Sequence, residues 1–296
     1  MTLITVTLES DTFRAWRAHA RHLLAADIAP EHVLWQDSDS SGDLFADASC
    51  QPCPEVVTRR LTLSRRAIDW LETASRFLPH SLHEPTQSRW SLLYRIVWRL
   101  ARGDGAALLA GDRDGSVLHQ RIKAVEHEAH HLHAFLRFHR RAIDESGEPE
   151  FVAWFEPAHD VLQEAGEHFL ARMGQRRWLI ATPLGAVRGD GERFDIERPC
   201  PAQARQWARA IPEDDEGTRL WRLYYASIFN PARVNPRVTR RQMPQRFWRY
   251  LDEGDLIRPL TLRACHGDQQ VAQDQAVGRQ KGHTIHYRPA SAHDAE

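Results

Sequence analysis

The spacing of hydrophobic positions changes early in the chain. Residues 2–8 alternate between apolar and polar side chains, which predicts a β-strand. Residues 11–27 carry Phe13, Trp16, Ala20 and Leu23 at helical spacing, with Asp11 where a helix N-cap is expected. A second short strand is predicted over residues 33–35. The pattern therefore begins as strand, helix, strand.

Three further segments have helical spacing before the pattern changes again. Ser64 can cap a helix that continues to Phe77, and Thr86 or Ser88 can cap a second helix with an apolar aromatic face. A third helix is predicted over residues 116–133. From residue 134 the spacing becomes that of strands, and the sequence predicts a β-hairpin formed by residues 134–143 and 151–156.

The remaining segments predict helices and strands in alternation. Pro157 suits the first turn of a helix that reaches Met173, residues 177–182 form a compact strand, and residues 184–194 can add a hairpin. Helical spacing returns at residues 202–210 and 216–229. Antiparallel hairpins with separate helices favour an α+β fold. We expect one region over residues 1–262, or two subdomains meeting near residues 110–134, followed by a polar, flexible tail at 263–296.

Composition limits the classes of function. The chain has 296 residues, 42% of them hydrophobic, and a formal net charge of −1, which excludes a globally basic protein. Its four cysteines are too few and too scattered for a disulfide scaffold. Charged residues interrupt every apolar run, so we expect a soluble, cytoplasmic protein with no membrane partner. No Gly-rich phosphate loop, nucleophile elbow or dinucleotide fingerprint occurs.

One short motif matches zinc-protease chemistry. Residues 127–131 have the form H-E-x-x-H, which places His127 and His131 one helical turn apart with Glu128 as a candidate general base. The extended motif requires a glycine and a third histidine, where this chain has Ala134 and Arg137. Several other histidines surround the motif. We therefore favour a solvated, His-rich helix face, and we predict no cofactor.

A second candidate site lies where a strand leads into a helix. Glu156, His159 and Asp160 are close enough in sequence for proton transfer from a rigid scaffold. The same carboxylates are also explained by the positive end of the helix that Pro157 is expected to begin. A catalytic role is the alternative to that structural one.

The most distinctive stretch is residues 217–251, which contains eight arginines, seven interleaved aromatic residues and no Asp or Glu. Guanidinium groups suit phosphates, and exposed aromatic rings can stack on unpaired bases. We expect most of the aromatic residues to belong to the core, and the arginines to form an anion site on loops fixed by two Asn-Pro pairs. The candidate nucleic-acid-binding residues are Arg219, Arg222, Arg233, Arg237, Arg240, Arg241 and Arg246.

Five blocks of the sequence resemble, in the same order, a domain-of-unknown-function family associated with DNA metabolism. These blocks are residues 88–100, 126–138, 151–173, 177–183 and 224–251, and the resemblance covers most of residues 1–262. Similar sequences form the amino-terminal half of fusion proteins that end in a UdgX-type uracil-DNA-binding glycosylase module. Others are encoded near a radical-SAM protein of DNA repair. Where the fused relatives continue into the glycosylase module, this sequence has a polar tail, so no glycosylase activity is expected.

The residues and the resemblance together predict a protein of DNA metabolism or repair. We expect it to engage nucleic acid through its arginine-rich segment, as an accessory to a glycosylase-like or radical-SAM partner. An enzyme acting on nucleic acid or a nucleotide near Glu156 and His159 is the first alternative. A zinc hydrolase using His127, Glu128 and His131 is the second.

Overall fold

The computed structural model describes residues 3–36, 61–79, 88–141, 149–210 and 216–278. The chain divides into two units, residues 1–211 and 212–296. Helices accompany a five-stranded mixed sheet, so the predicted α+β class is confirmed. Of the predicted tail, Gln269–Gly278 form a helix, and residues 279–296 lie outside the described part. No helix in the described segments is long and apolar enough to cross a membrane.

The first unit begins with strand β1 (Ile4–Thr7), helix α1 (Phe13–Ala25) and strand β2 (Val33–Gln36), as the sequence predicts. The two strands pair in parallel. The cap of α1 is Thr12, whose hydroxyl accepts from the Ala15 amide, and not the predicted Asp11. Asp11 lies one position too early to cap the helix. It forms an ion pair with the buried Arg89 instead.

Three helices complete the first half of this unit: α2 (Arg65–Ser75), α3 (Arg89–Ala101) and α4 (Arg113–Phe135). Ser64 and Ser88 cap α2 and α3, which confirms these two predicted starts. The core between α1 and α3 is aromatic, with the rings of Trp16 and Trp90 stacked at a centroid distance of 5.9 Å. This packing agrees with the sequence pattern, which predicts Trp16 on the apolar face of one helix and an apolar aromatic face for the helix that contains Trp90.

The rest of the first unit is built on the sheet. Its strands, in the order in which they pair, are β3 (His139–Arg140), β4 (Phe151–Trp154), β5 (Trp178–Ala181), β6 (Ala186–Gly189) and β7 (Phe194–Glu197). The predicted hairpins β3–β4 and β6–β7 are antiparallel, whereas β4 and β5 are parallel. Helix α5 (Leu162–Met173) connects the parallel pair, and α6 (Ala202–Arg209) packs on β4 and β5.

Helix α5 begins five residues later than predicted, because residues 157–161 form a connection between β4 and the helix. Asp160 lies near the end of this connection, and its Oδ1 accepts a hydrogen bond from the Leu162 amide at 3.2 Å. Pro157 therefore belongs to the loop and not to the first helical turn. The second candidate site lies at this loop: His159 and Asp160 belong to it, and Glu156 directly precedes it.

The second unit is helical in its described part. Its α-helices are α7 (Glu216–Ile228), α8 (Pro236–Gln242), α9 (Gly254–Arg263) and α10 (Gln269–Gly278). Two 3-10 helices, Pro231–Arg233 and Gln245–Tyr250, connect them. Among the described residues of this unit, the buried apolar side chains are few: Phe247, Leu251, Ile257 and Ala264.

Candidate nucleic-acid interface and a buried polar cluster

The two Asn-Pro pairs of the arginine-rich segment start helices. The Oδ1 of Asn230 accepts from the Ala232 amide at 3.0 Å, and the Oδ1 of Asn235 accepts from the Val238 amide at 3.1 Å. Each asparagine is thus an N-cap, followed by a proline whose missing N–H costs nothing at that position. The expectation of loops is wrong here, since Arg233 ends a 3-10 helix and Arg237 lies on α8.

Four exposed arginines on these two short helices are called here the arginine surface: Arg233, Arg237, Arg240 and Arg241. Residues three and four apart on a helix share a face, so the three on α8 point in similar directions. Within the described residues, none of the four forms an ion pair, and neither does the exposed Arg219 on α7. The Nε of Arg240 donates to the carbonyl of Pro236 at 3.2 Å, which holds that side chain along the helix.

Two other candidate arginines have partners inside the protein. Arg222 donates to both carboxylate oxygens of Asp255, at 2.8 and 2.7 Å, and to the carbonyl of Asp252. This ion pair raises the pKa of Arg222 and lowers that of Asp255. The guanidinium of Arg246 lies 4.4 Å from the centroid of the Phe247 ring. The acids that follow residue 251 therefore neutralise part of the basic segment.

The aromatic residues of this segment are mostly outside the core. Of the seven, one ring is buried, two are exposed and four are half-buried: Phe247 is buried, Trp221 and Tyr224 are exposed, and Tyr225, Phe229, Trp248 and Tyr250 are half-buried. Tyr224 is 53% exposed, and Trp221, 39% exposed, donates its Nε1 proton to Glu253 at 2.9 Å. The expectation that most of these rings belong to the core is wrong, because the small second unit has little interior to hold them.

In the first unit, the two other candidate sites meet in a group of side chains called here the buried polar cluster: Glu128, His131, Glu156, His159, Asp160 and Glu164. Glu128 on α4 is 3% exposed, and its Oε1 accepts from the Ala158 amide in the β4–α5 connection at 2.8 Å. Its Oε2 lies 3.6 Å from Nδ1 of His131, which is also buried. The expectation of a solvated His-rich face is correct for the exposed His127 and His130 but wrong for Glu128 and His131, which are buried.

Glu156, His159 and Asp160 each bind a different part of the structure. The Nδ1 of buried His159 accepts from the Leu78 amide at 3.3 Å, so the neutral ring carries its proton on Nε2. Asp160 accepts a 2.6 Å hydrogen bond from Arg198. The Oε1 of Glu156 accepts from the Trp154 indole at 3.0 Å. These contacts fix the β4–α5 connection, which accounts for the three side chains without a reaction.

The geometry of the H-E-x-x-H segment brings its two outer histidines together. The ring centroids of His127 and His131 are 4.1 Å apart, at an interplanar angle of 63°. The carboxylate of Glu128 is already engaged by the Ala158 amide. In the segments that the structure describes, no group of three or more His, Cys, Asp and Glu side chains is arranged to hold a metal ion.

A second histidine pair lies between α4 and α5. The rings of His133 and His168 are stacked at 3.9 Å, and the Nε2 of His133 donates to the carbonyl of Glu164 at 3.4 Å. Burial and the neighbouring ring lower the pKa of His133, and burial and Arg172 lower that of His168. Burial raises the pKa of Glu164, although Arg76 donates to its Oε1.

This histidine pair predicts a loss of stability in mild acid. The pKa values of both histidines lie below the ordinary value of 6.5. At a pH below 6.5 the unfolded chain therefore binds more protons at these histidines than the folded protein does, which favours unfolding. Stability should be complete above pH 6.5 and fall as the pH falls through the two lowered values. Urea denaturation of the protein and of His168→Gln at pH 7.5 and 5.5 should show a smaller pH effect in the variant.

Other titrating groups face the pair, and the comparison controls for them. The raised pKa of Glu164 acts in the opposite direction, favouring the folded state as that carboxyl is protonated. Glu164, His130, Arg172 and Arg76 are present in both proteins, so their contributions cancel in the difference. An equal pH effect in both proteins would rule out the stacked rings as its cause.

Sequence reasoning missed the interactions of Glu164 with its partners. Glu164 and His168 are four residues apart on α5, a spacing that puts them on one face and that the sequence shows. Arg76 is 88 residues away along the chain. Nothing local indicates that ion pair, because it joins the C-cap residue of α2 to a residue of α5.

Comparison with known proteins gives one match. A family model described as a domain of unknown function, DUF4130, matches residues 87–253. This segment is more than half of the 296-residue chain and contains both the arginine surface and the buried polar cluster. No curated protein and no solved structure matches the chain. The protein therefore belongs to the DUF4130 family.

Proposed function

We propose that the protein binds nucleic acid through the arginine surface of its second unit, with Arg219 as a further phosphate contact. The observation that carries this proposal is that these exposed guanidiniums form no ion pair within the described residues. A guanidinium donates parallel hydrogen bonds to phosphate oxygens, and the two short helices fix where several of them stand.

Other arginines of the chain are paired with carboxylates, and this contrast supports the proposal. Arg99 on α3 donates to Asp104, Asp112 and Asp114, which raises its pKa and binds the start of α4. Arg222 is similarly held by Asp255. Against a formal net charge of −1, a polyanion site needs segregated charge, and the acid-free segment provides it.

The biological setting that we propose is DNA metabolism or repair. It rests on the resemblance of five sequence blocks to proteins associated with DNA metabolism. In this setting the protein acts as an accessory that engages DNA beside a separately encoded glycosylase-like or radical-SAM partner. The exposed Tyr224 ring could add base stacking where the DNA is single-stranded.

The test is a salt series of DNA binding by fluorescence anisotropy, with single-stranded and duplex oligonucleotides. The variant Arg233→Ala, Arg237→Ala, Arg240→Ala removes three candidate phosphate contacts. Each phosphate neutralised contributes roughly −0.7 to −0.9 to the slope of log K against log salt, so the slope should become shallower by about 2 to 3.

A matched control removes the same charge elsewhere. Arg14, Arg113 and Arg205 are exposed on helices of the first unit and form no ion pair within the described residues. Their triple substitution by alanine should leave the slope nearly unchanged. If both triple variants change the slope equally, the arginine surface is not the contact and only the total charge matters.

An enzymatic function at the buried polar cluster is the second candidate. The raised pKa of Glu164 favours it, since perturbed carboxyl groups are common at catalytic sites. The neighbouring Glu156, His159 and Asp160 would then position or transfer protons. Incubation of damaged and undamaged oligonucleotides with the protein, with and without divalent metal, separates the two candidates: product formation supports an enzyme, and unchanged oligonucleotides support a binding protein.

A further inference from the structure

The first unit contains a cavity of about 580 Å³ between α1, α2 and α3. It is lined by residues 13–27, 61–71 and 97–102, and so it lies outside the arginine surface and the buried polar cluster. Its volume falls within the range of small-molecule sites, roughly 300–1,000 Å³. None of the functions considered so far uses it.

The walls of this cavity are apolar. Eleven of its fifteen lining residues are apolar, and Trp16, Leu71 and Val97 among them are buried members of the core. Water forms few hydrogen bonds with such walls. An apolar group packed against them removes its own apolar surface and that of the walls from water, which is favourable. The interior of the cavity therefore suits a hydrocarbon or aromatic group.

The charged residues of the lining are unbalanced. They are Arg17, Arg21, Arg102 and a single acid, Asp27. Arg102 donates to Asp27 at 2.7 Å and lies 3.2 Å from the centroid of the Trp98 ring, so this pair is internally compensated. Arg17 and Arg21 form no ion pair within the described residues. Two positive charges thus remain uncompensated at the cavity.

Arg17 and Arg21 are also suitably spaced. They are four residues apart on α1, which puts their side chains one turn apart on the same face. Two guanidiniums in this arrangement can share one carboxylate or phosphate group. Solvation alone would explain two exposed arginines, but it would not explain why both stand beside an apolar cavity.

We propose that this cavity binds an amphipathic anion, a small molecule with one carboxylate or phosphate head group on an apolar body. The head group lies between Arg17 and Arg21. The body packs against Trp16, Leu71 and Val97. This binding site is independent of the nucleic-acid interface, since it lies in the other unit.

The experiment is isothermal titration calorimetry of the full chain with decanoate below its micelle concentration. Decanol, with the same chain and no charge, is the matched probe. Decanoate should bind at one site, and decanol roughly tenfold more weakly or worse, because charge-assisted hydrogen bonds are lost. Arg17→Gln with Arg21→Gln should reduce decanoate affinity to the level of decanol without affecting decanol.

Two further variants make the outcome decisive. Arg113→Gln with Arg205→Gln removes the same charge at exposed positions outside the cavity lining and should leave both affinities unchanged. Ala25→Phe, at a half-buried lining position, should block both probes while thermal unfolding shows that the protein remains folded. Absence of decanoate binding, equal binding of the two probes, or binding that survives Ala25→Phe would each overturn the proposal.

Discussion

Phe247→Ala is expected to unfold the second unit and leave the first unit folded. Phe247 is 1% exposed, and among the largest fully buried side chains of the described residues it alone belongs to the second unit. Truncating a buried Phe to Ala costs about 3–5 kcal/mol. The hydrophobic core of such a small unit supplies only about 3–5 kcal/mol of stability.

Hydrogen exchange measured by mass spectrometry tests this expectation. Amides of α9, the 3-10 helix Gln245–Tyr250 and α8 should lose protection, while those of the β4–β7 strands keep it. DNA binding should be lost together with the protection of α8. The control is Tyr224→Ala, which truncates an exposed aromatic side chain of the same unit and should change stability by less than about 0.5 kcal/mol. Loss of protection in both units would show instead that they unfold together.

Gly189→Val is expected to destabilise the first unit by about 3 kcal/mol, the upper end of the usual cost of overpacking. Gly189 on β6 pairs with Trp178 on β5, and a Cβ at residue 189 would lie 2.3 Å from the Trp178 indole. Trp178 is fully buried in the central strand, so moving its ring would disturb the packing against Phe138 and Phe169. Glycine within a strand marks such a close approach.

Chemical denaturation of two further variants identifies the cause. Gly189→Val should cost clearly less in a Trp178→Leu background than in the natural sequence, because leucine leaves room for the new side chain. Gly111→Val is the matched control, since a Cβ at residue 111 would have no neighbour within 4 Å and should cost little. An equal cost of Gly189→Val in the two backgrounds would exclude the indole as the obstacle.

The sequence predicted the secondary structure well where local chemistry decides it. The serine caps of α2 and α3 and the hairpins β3–β4 and β6–β7 follow from residues that are close along the chain. The start of α5 was predicted too early, because Pro157 fits a first helical turn locally and the β4–α5 connection is held by distant groups. Its amides and side chains bind Glu128 on α4, and Leu78 after α2.

The sequence identified the arginine-rich segment as the candidate interface. It did not predict which of its arginines are paired or which of its aromatic rings are buried. The acid-free window ends at residue 251, and the carboxylates that neutralise Arg222 and bind Trp221 follow at once in Asp255 and Glu253. Local sequence also could not show which rings are buried, because burial depends on how much core the second unit can build. Parallel pairing of β4 with β5 is likewise a property of the whole sheet.

The packing of α1 against α3 determines where the chain can be divided. The family model matches from residue 87, yet Trp90 stacks on Trp16 and Arg89 pairs with Asp11, and both of these partners precede that point. A fragment cut at the start of the match would expose an indole face and leave a buried guanidinium without its carboxylate. The segment that the family model matches is therefore not expected to fold by itself, because residues 3–36 complete its interior.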